Sequence, residues 1–283
     1  MAGFLNVRDY ASAEEAGRTH VCSIRKVPSQ ATVAGWWCDL SMAAGNPKPN
    51  YYASSPLIAA TLDSYDGIFH GPNQSPASKH LTHIGLMSPT AGFVGRLMLL
   101  DYVLFLPFID GDSLDEQAMD NTVTLPRYAT GEGVQLMAVN VAPTTGAGRF
   151  VVSYVDSDGN PQVTPSQICS TTAGNIASIT TSQQATGGTG PFLILASGSR
   201  GVRSVTSVTF TVANGGLMAL VLVKPIADIA IREINTMTEM EFVSRRPGAP
   251  RIEDGAYLNL IANTAATVAA GTLTGYARFA WSA

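Results

Sequence analysis

Ser204-Val-Thr-Ser-Val-Thr-Phe-Thr-Val212 decides the fold class. β-branched side chains fill it around a single phenylalanine, and such side chains lose rotamer freedom in a helix but pack well on a pleated surface. With a period of two, Val205, Thr209 and Thr211 fall on one side and Val208, Phe210 and Val212 on the other. A second stretch, Arg149-Phe-Val-Val-Ser-Tyr-Val155, runs into Asp156-Ser-Asp-Gly-Asn-Pro161 and out to Val163. Apolar runs on either side of a turn of this composition spell a β-hairpin.

Outward from these two stretches, similar short segments recur at 97–106, 134–141, 162–169, 192–196, 217–223, 257–262 and 272–281, each closed by Gly, Pro, Asn or Asp. Strands at this spacing predict an all-β chain, a jelly-roll-like β-sandwich over 91–283. Helix is expected in few places. Ser12 is suited to cap Ala13-Glu14-Glu15-Ala16, while 226–238, with Ile226, Ile229, Ile231 and Ile234, fits neither period and reads as a strand or a short helix.

Residues 1–90 differ. Pro28, Pro47, Pro49, Pro56, Pro72, Pro76 and Pro89 sit among many Gly and Asn, which predicts an extended arm and loops wrapping the core or a neighbour, or one continuous domain with 91–283. Trp36-Trp37 and Tyr51-Tyr52 would anchor that wrapping, unless they belong to the chain's own core. The stretches 171–190 and 262–274 are almost uncharged mixtures of Ala, Thr, Ser and Gly, suited to ordering between subunits.

The chain has 283 residues, of which charged residues are 13% and apolar ones 46%. Soluble domains carry about 25% charge, so the surface is weakly solvated and suits permanent contacts. A net charge of −4 argues against a broad phosphate-binding field. Arg245-Arg246 with Arg251 is the nearest approach to a basic run, and Pro247 and Pro250 make it a loop. The run Leu217-Met-Ala-Leu-Val-Leu-Val223 stops at Lys224-Pro225, far short of the roughly 18 residues that span a bilayer. It reads as a buried strand. No nucleic-acid or membrane partner is expected, and the start, Met1-Ala-Gly-Phe-Leu-Asn-Val7, has no apolar leader region, so synthesis in a cytoplasm is expected.

Residues with chemical potential are few. Cys22, Cys38 and Cys169 are widely spaced and read as free, buried thiols. His20 and His70 stand alone, and His80-Leu-Thr-His83 has ligand-like spacing but no cysteine near it, so surface or interface histidines are the simpler reading. Asp110-Gly-Asp112-Ser-Leu-Asp115-Glu116 could offer oxygens to calcium, and Asp156, Asp158 and Asn160 alternate like the opening of a calcium loop. Neither matches the EF-hand pattern, and strand-closing turns explain both. Gly198-Ser-Arg-Gly201 reads as a turn, and Gly187-Gly-Thr-Gly190 precedes Pro191 and a strand rather than a phosphate-binding helix. No catalytic, cofactor or metal residue is therefore assigned, and a non-enzymatic role is expected.

Three stretches carry a resemblance: Trp36-Trp-Cys-Asp-Leu-Ser-Met-Ala-Ala-Gly-Asn-Pro-Lys-Pro-Asn-Tyr-Tyr52, Leu106-Pro-Phe-Ile-Asp-Gly-Asp112 and Leu125-Pro-Arg-Tyr128. Over most of its length the chain resembles a family of virion structural proteins of tailed bacteriophages. The resemblance implies a capsid decoration, cement or minor capsid component located in the virion. The expected partners are other copies of itself, as a homotrimer, and the major capsid protein. Placement in the neck, tail or fibre attachment is the alternative. A receptor- or glycan-binding module using Trp36, Trp37 and Tyr51 is a further one.

Overall fold

The structure, a computed structural model, describes Phe4 and residues 7–28, 33–183, 190–244, 248–267 and 271–282. Strands account for 44% and helices for 6%, so the chain is all-β as expected. Helix α1 (Val7–Glu15) leads into β1 (Thr19–Val27), β2 (Trp37–Asp39) and β3 (Ala44–Asn46). β4 (Lys79–Met87), β5 (Gly95–Asp110), β6 (Gln117–Ala118) and β7 (Gln135–Asn140) follow. Next come β8 (Arg149–Asp156), β9 (Pro161–Val163), β10 (Gln167–Ile168), β11 (Val202–Val212) and β12 (Leu217–Ile231). β13 (Thr238–Glu241), β14 (Arg251–Ile252), β15 (Leu258–Thr264) and β16 (Leu273–Trp281) complete the order.

These strands form three antiparallel sheets. The central sheet has the order β2-β15-β5-β12-β7, and its long strands β5 and β12 run beneath both of the others. Over one half of it lies a sheet ordered β13-β4-β16-β1-β3, with β14 beside β4. Ile24, Leu81, Ile84, Leu86 and Phe279 of that sheet meet Leu97, Leu99, Ile229, Leu258 and Leu260 of the central one. Over the other half lies a sheet ordered β10-β8-β11-β6, with β9 beside β8. There Phe150, Val152, Tyr154, Val208 and Phe210 meet Leu104, Leu106, Leu136, Leu220 and Leu222. The opposite face of the central sheet is covered mainly by loops, through Met42, Tyr52, Leu62 and Ile179. Each fully buried aliphatic or aromatic side chain contributes about 1.5–3 kcal/mol.

β8 alternates cleanly between inward and outward residues. The turn after it closes as its composition predicts, with Asp156 N donating to Asn160 O at 2.9 Å and Gly159 at φ 87°. In β11 the strict alternation fails, because a register shift between Val205 and Ser207 brings Val205 into the same core as Val208 and Phe210. β-bulges insert one residue and re-aim those after it.

Other departures have similarly local causes. β12 does not stop at Lys224-Pro225 but runs on to Ile231, which resolves the first part of the ambiguous 226–238 stretch as strand. The ladder to β7 ends at Val223, so beyond it β12 lacks that neighbour, and a bulge follows Pro225. A proline is tolerated where no ladder donor is required. The segment 162–169 is broken into β9 and β10, and 192–196 forms no strand. Instead Leu193 N donates to Leu136 O at 2.9 Å and Ile194 N to the Gln167 side chain at 3.1 Å. Ser12 lies inside α1 rather than at its start.

Within 1–90, β1 and β4 are full members of a sheet, each pairing with β16 near the other end of the chain. The stretch is therefore more than extended cover. Trp36, Trp37 and Tyr52 are buried in the chain's own structure, and only Tyr51 of that aromatic set is well exposed.

Candidate functional site

Two surface features stand out. The first is the outer face of the β10-β8-β11-β6 sheet. Because β8 sends Phe150, Val152 and Tyr154 inward, Val151, Ser153 and Val155 face away from the core. Val163 of β9 pairs with Ser153, and Thr209 of β11 with Val151. Thr206 and Thr211 are exposed beside them, as is Val163 at 55%. The interior of this face carries hydroxyl and β-branched side chains and no charge. Charges collect at its ends: Arg149 starts β8, while Arg200 bridges Asp158 at 2.6 Å near the β8–β9 turn.

The second is an apolar cleft of about 410 Å³ lined by Pro28, Leu40, Met42, Tyr51, Phe108 and Ile176, among others. Its floor is held by Asp39, at the end of β2. This carboxylate is buried and accepts four hydrogen bonds: from the Tyr52 hydroxyl at 2.5 Å, the Ser41 hydroxyl at 2.5 Å, the Tyr102 hydroxyl at 2.6 Å and Ser41 N at 2.9 Å. A buried charge needs such partners. Burial, reinforced by Asp39, pushes both tyrosine hydroxyls well above the usual phenol range, so they remain donors. Lys26 is buried nearby, donating to Pro47 O at 2.8 Å and Ala43 O at 3.1 Å. Burial draws its ammonium down to about 8, opposed by Asp39. The arrangement is a brace: each charge is spent on internal bonds.

A polar cleft of about 480 Å³ lies between β4, β14 and the 126–128 loop. Its ions are also consumed. Lys79 Nζ meets His70 Nδ1 at 2.9 Å, Gly71 O at 3.3 Å and Asp254 at 3.3 Å. The Arg127 guanidinium is paired with buried Asp101 and also donates to Tyr102 O at 2.9 Å.

The residues singled out from sequence fall into separate places. His80 and His83 lie on β4, where His83 sits in register with Glu241 and Arg278, and His80 Nδ1 donates to Ala249 O at 3.0 Å. Asp110 accepts from Asp112 N at 2.9 Å, a turn-closing bond, and Asp156 accepts from Asp158 N and Asn160 N, both at 2.9 Å. Among the described residues no group of three or more His, Cys, Asp or Glu is placed to hold a metal. Cys38 and Cys169 are buried and free, with burial pushing both thiols up to about 12, while Cys22 is free and half-buried. The turn expected at Gly198 to Gly201 lies earlier, at 196–199, where Ser199 N donates to Ala196 O at 3.1 Å, and Gly201 is bridged to Glu132 instead. Arg245, Arg246, Pro247 and Gly187 lie outside the described residues. No described helix is long and apolar enough to cross a membrane.

The Asp39 brace was not visible from spacing, since Tyr52 and Tyr102 are far from it in sequence. A lone acid inside the apolar run Trp36-Trp-Cys-Asp-Leu-Ser-Met42 was the available signal. No family model, curated protein or solved structure matches this chain.

Proposed function

We propose that this protein is a structural component of a tailed-phage particle, a capsid decoration or cement protein that stabilises the head through subunit contacts. The observation that carries the reading is the charge-free middle of the outer face of the β10-β8-β11-β6 sheet, between Arg149 at one end and Arg203 at the other, with Val163 and the Thr206, Thr209 and Thr211 hydroxyl side chains displayed on an otherwise finished fold. A face without charge packs against a neighbour with little desolvation cost. The resemblance of residues 36–52, 106–112 and 125–128 to virion proteins supports the particle assignment, and the low charge content supports permanent contacts. A binding rather than catalytic role fits the buried ions of both clefts, whose bonds all go to internal groups: hydroxyls and backbone carbonyls for Asp39 and Lys26, opposite charges for Lys79 and Arg127.

The partners on this reading are further copies of the chain, as a homotrimer, and the major capsid protein. Capsids purified without the protein should burst at a lower temperature than complete ones, and adding it back should restore the difference. Equal burst temperatures would remove the cement role. A copy number near that of an axial ring rather than of the shell would move the protein to the neck or tail.

A further inference from the structure

Beyond the end of the second core the chain buries a patch of neutral polar groups. Asn140 ends β7 and points to the same side as Leu136 and Ala138, by the alternation of the strand. It is fully buried, and neither atom of its side-chain amide has a partner. Asn214, in the turn before β12, is 1% exposed, and its Oδ1 is likewise unpartnered. Its Nδ2 reaches Thr180 Oγ1 only at 3.5 Å.

Backbone bonds tie Asn214 to the loop 141–148 and Asn140 to the loop 170–182, and the two loops to each other. Thr145 N donates to Asn214 O at 2.9 Å and Thr144 N to Gly174 O at 3.0 Å, while Ala177 N donates to Asn140 O and Thr180 N to Ala138 O, each at 2.9 Å. The patch is also tight. A Cβ on Gly174 would stand 2.5 Å from Asn140 Nδ2 and 2.8 Å from Thr144 Oγ1, and one on Gly148 would stand 2.4 Å from the Asn214 Cβ. Glycine is required at both positions for these side chains to lie where they do.

The chemistry of a ligand here follows from what is unpaired. Asn140 presents one donor and one acceptor whichever way its amide is turned, so the conclusion does not depend on that assignment. A cation could satisfy the carbonyl oxygens but cannot accept from the NH2 group. An anion could accept but cannot donate. Only a small neutral group that does both fits, and buried water characteristically fills such places with about three hydrogen bonds. We propose that an ordered water bridges the Asn140 amide to Asn214 Oδ1 and is an integral part of the fold, locking 141–148 and 170–182 to the end of the central sheet. Ile176 and Ala177 of the second loop line the apolar cleft, so this water also braces the cleft wall.

A crystal structure at about 1.5 Å tests the proposal on the wild-type chain. One density peak at hydrogen-bond distance, about 2.7–3.2 Å, from both the Asn140 amide and Asn214 Oδ1 is expected. No peak, direct bonding of the two amides to protein groups, or a peak with only oxygen neighbours at cation distances of about 2.3–2.5 Å would overturn it. Solution relaxation of 17O-labelled water supplies a second readout: Asn140→Leu should lose one long-lived water and exchange amide hydrogens faster across 171–183. An unchanged water count in a folded N140L variant would equally overturn it.

Discussion

Asp39 shows how one residue can organise a whole region. Its carboxylate gathers Ser41, Tyr52 and Tyr102, joining β2, the following loop and the central strand β5. Hydrogen bonds to a charged group each contribute about 1.5–3 kcal/mol, and a stranded buried hydroxyl costs about 1–3 kcal/mol. Asp39→Ala should therefore lower stability by roughly 3–5 kcal/mol, read as a shift in urea midpoint. A loss under about 1 kcal/mol would show that the brace is incidental.

His70 makes a second residue-level prediction. Burial first, and Lys79 next to it, hold its imidazole down to about 4 against an ordinary 6.5. The folded chain thus binds this proton less readily than the unfolded chain. Its contribution is complete above pH 6.5 and is lost as pH falls through the window down to about 4, amounting to ~3 kcal/mol. Denaturation midpoints of the wild type should fall more steeply between pH 6.5 and 4.5 than those of His70→Gln. Parallel curves would place the acid sensitivity elsewhere.

At the scale of elements, β12 is informative because a proline sits inside it. Pro225 lies just past the end of the β7 ladder, whereas Val221 is paired on both sides, with Phe105 and Met137. Pro225→Ala should change stability by less than about 1 kcal/mol, while Val221→Pro should cost about 3 kcal/mol or more. Thermal unfolding of the two variants checks the contrast, and similar melting points would refute the edge argument.

The same strand explains what could be read from the sequence. Residues 204–212 and 149–156 announce themselves through β-branched density and turn chemistry, and both are strands. Pro225 looked like a stop only because the end of its neighbour's ladder is a tertiary fact. β1 and β4 were missed for a related reason. Arg25, Lys26, Lys79, His80 and His83 blur their alternation, although Lys26 and Lys79 are buried by internal hydrogen bonds that sequence spacing does not show. Their shared partner β16 lies far along the chain. The Asp39 site was hidden similarly, since its donors come from separate elements.

For the whole molecule, two smaller sheets roofing one long sheet leave the roofs' outer faces to be explained. One is partly covered by α1, whose Tyr10 and Ala13 are buried and whose Glu14 pairs with Arg278 of β16 at 2.6 Å. The other, formed by β8, β9 and β11, has the uncharged middle on which the proposed assembly role rests. Its alternating strands already bury a complete core on their inner side, so the outward Val and Thr side chains are dispensable for folding. A subnanometre map of purified particles gives the most direct test. The proposal predicts density for this chain on the particle, with Val151, Val163 and Thr209 buried against a neighbouring subunit. Particles lacking the chain, or carrying it with that face turned to solvent, would contradict it.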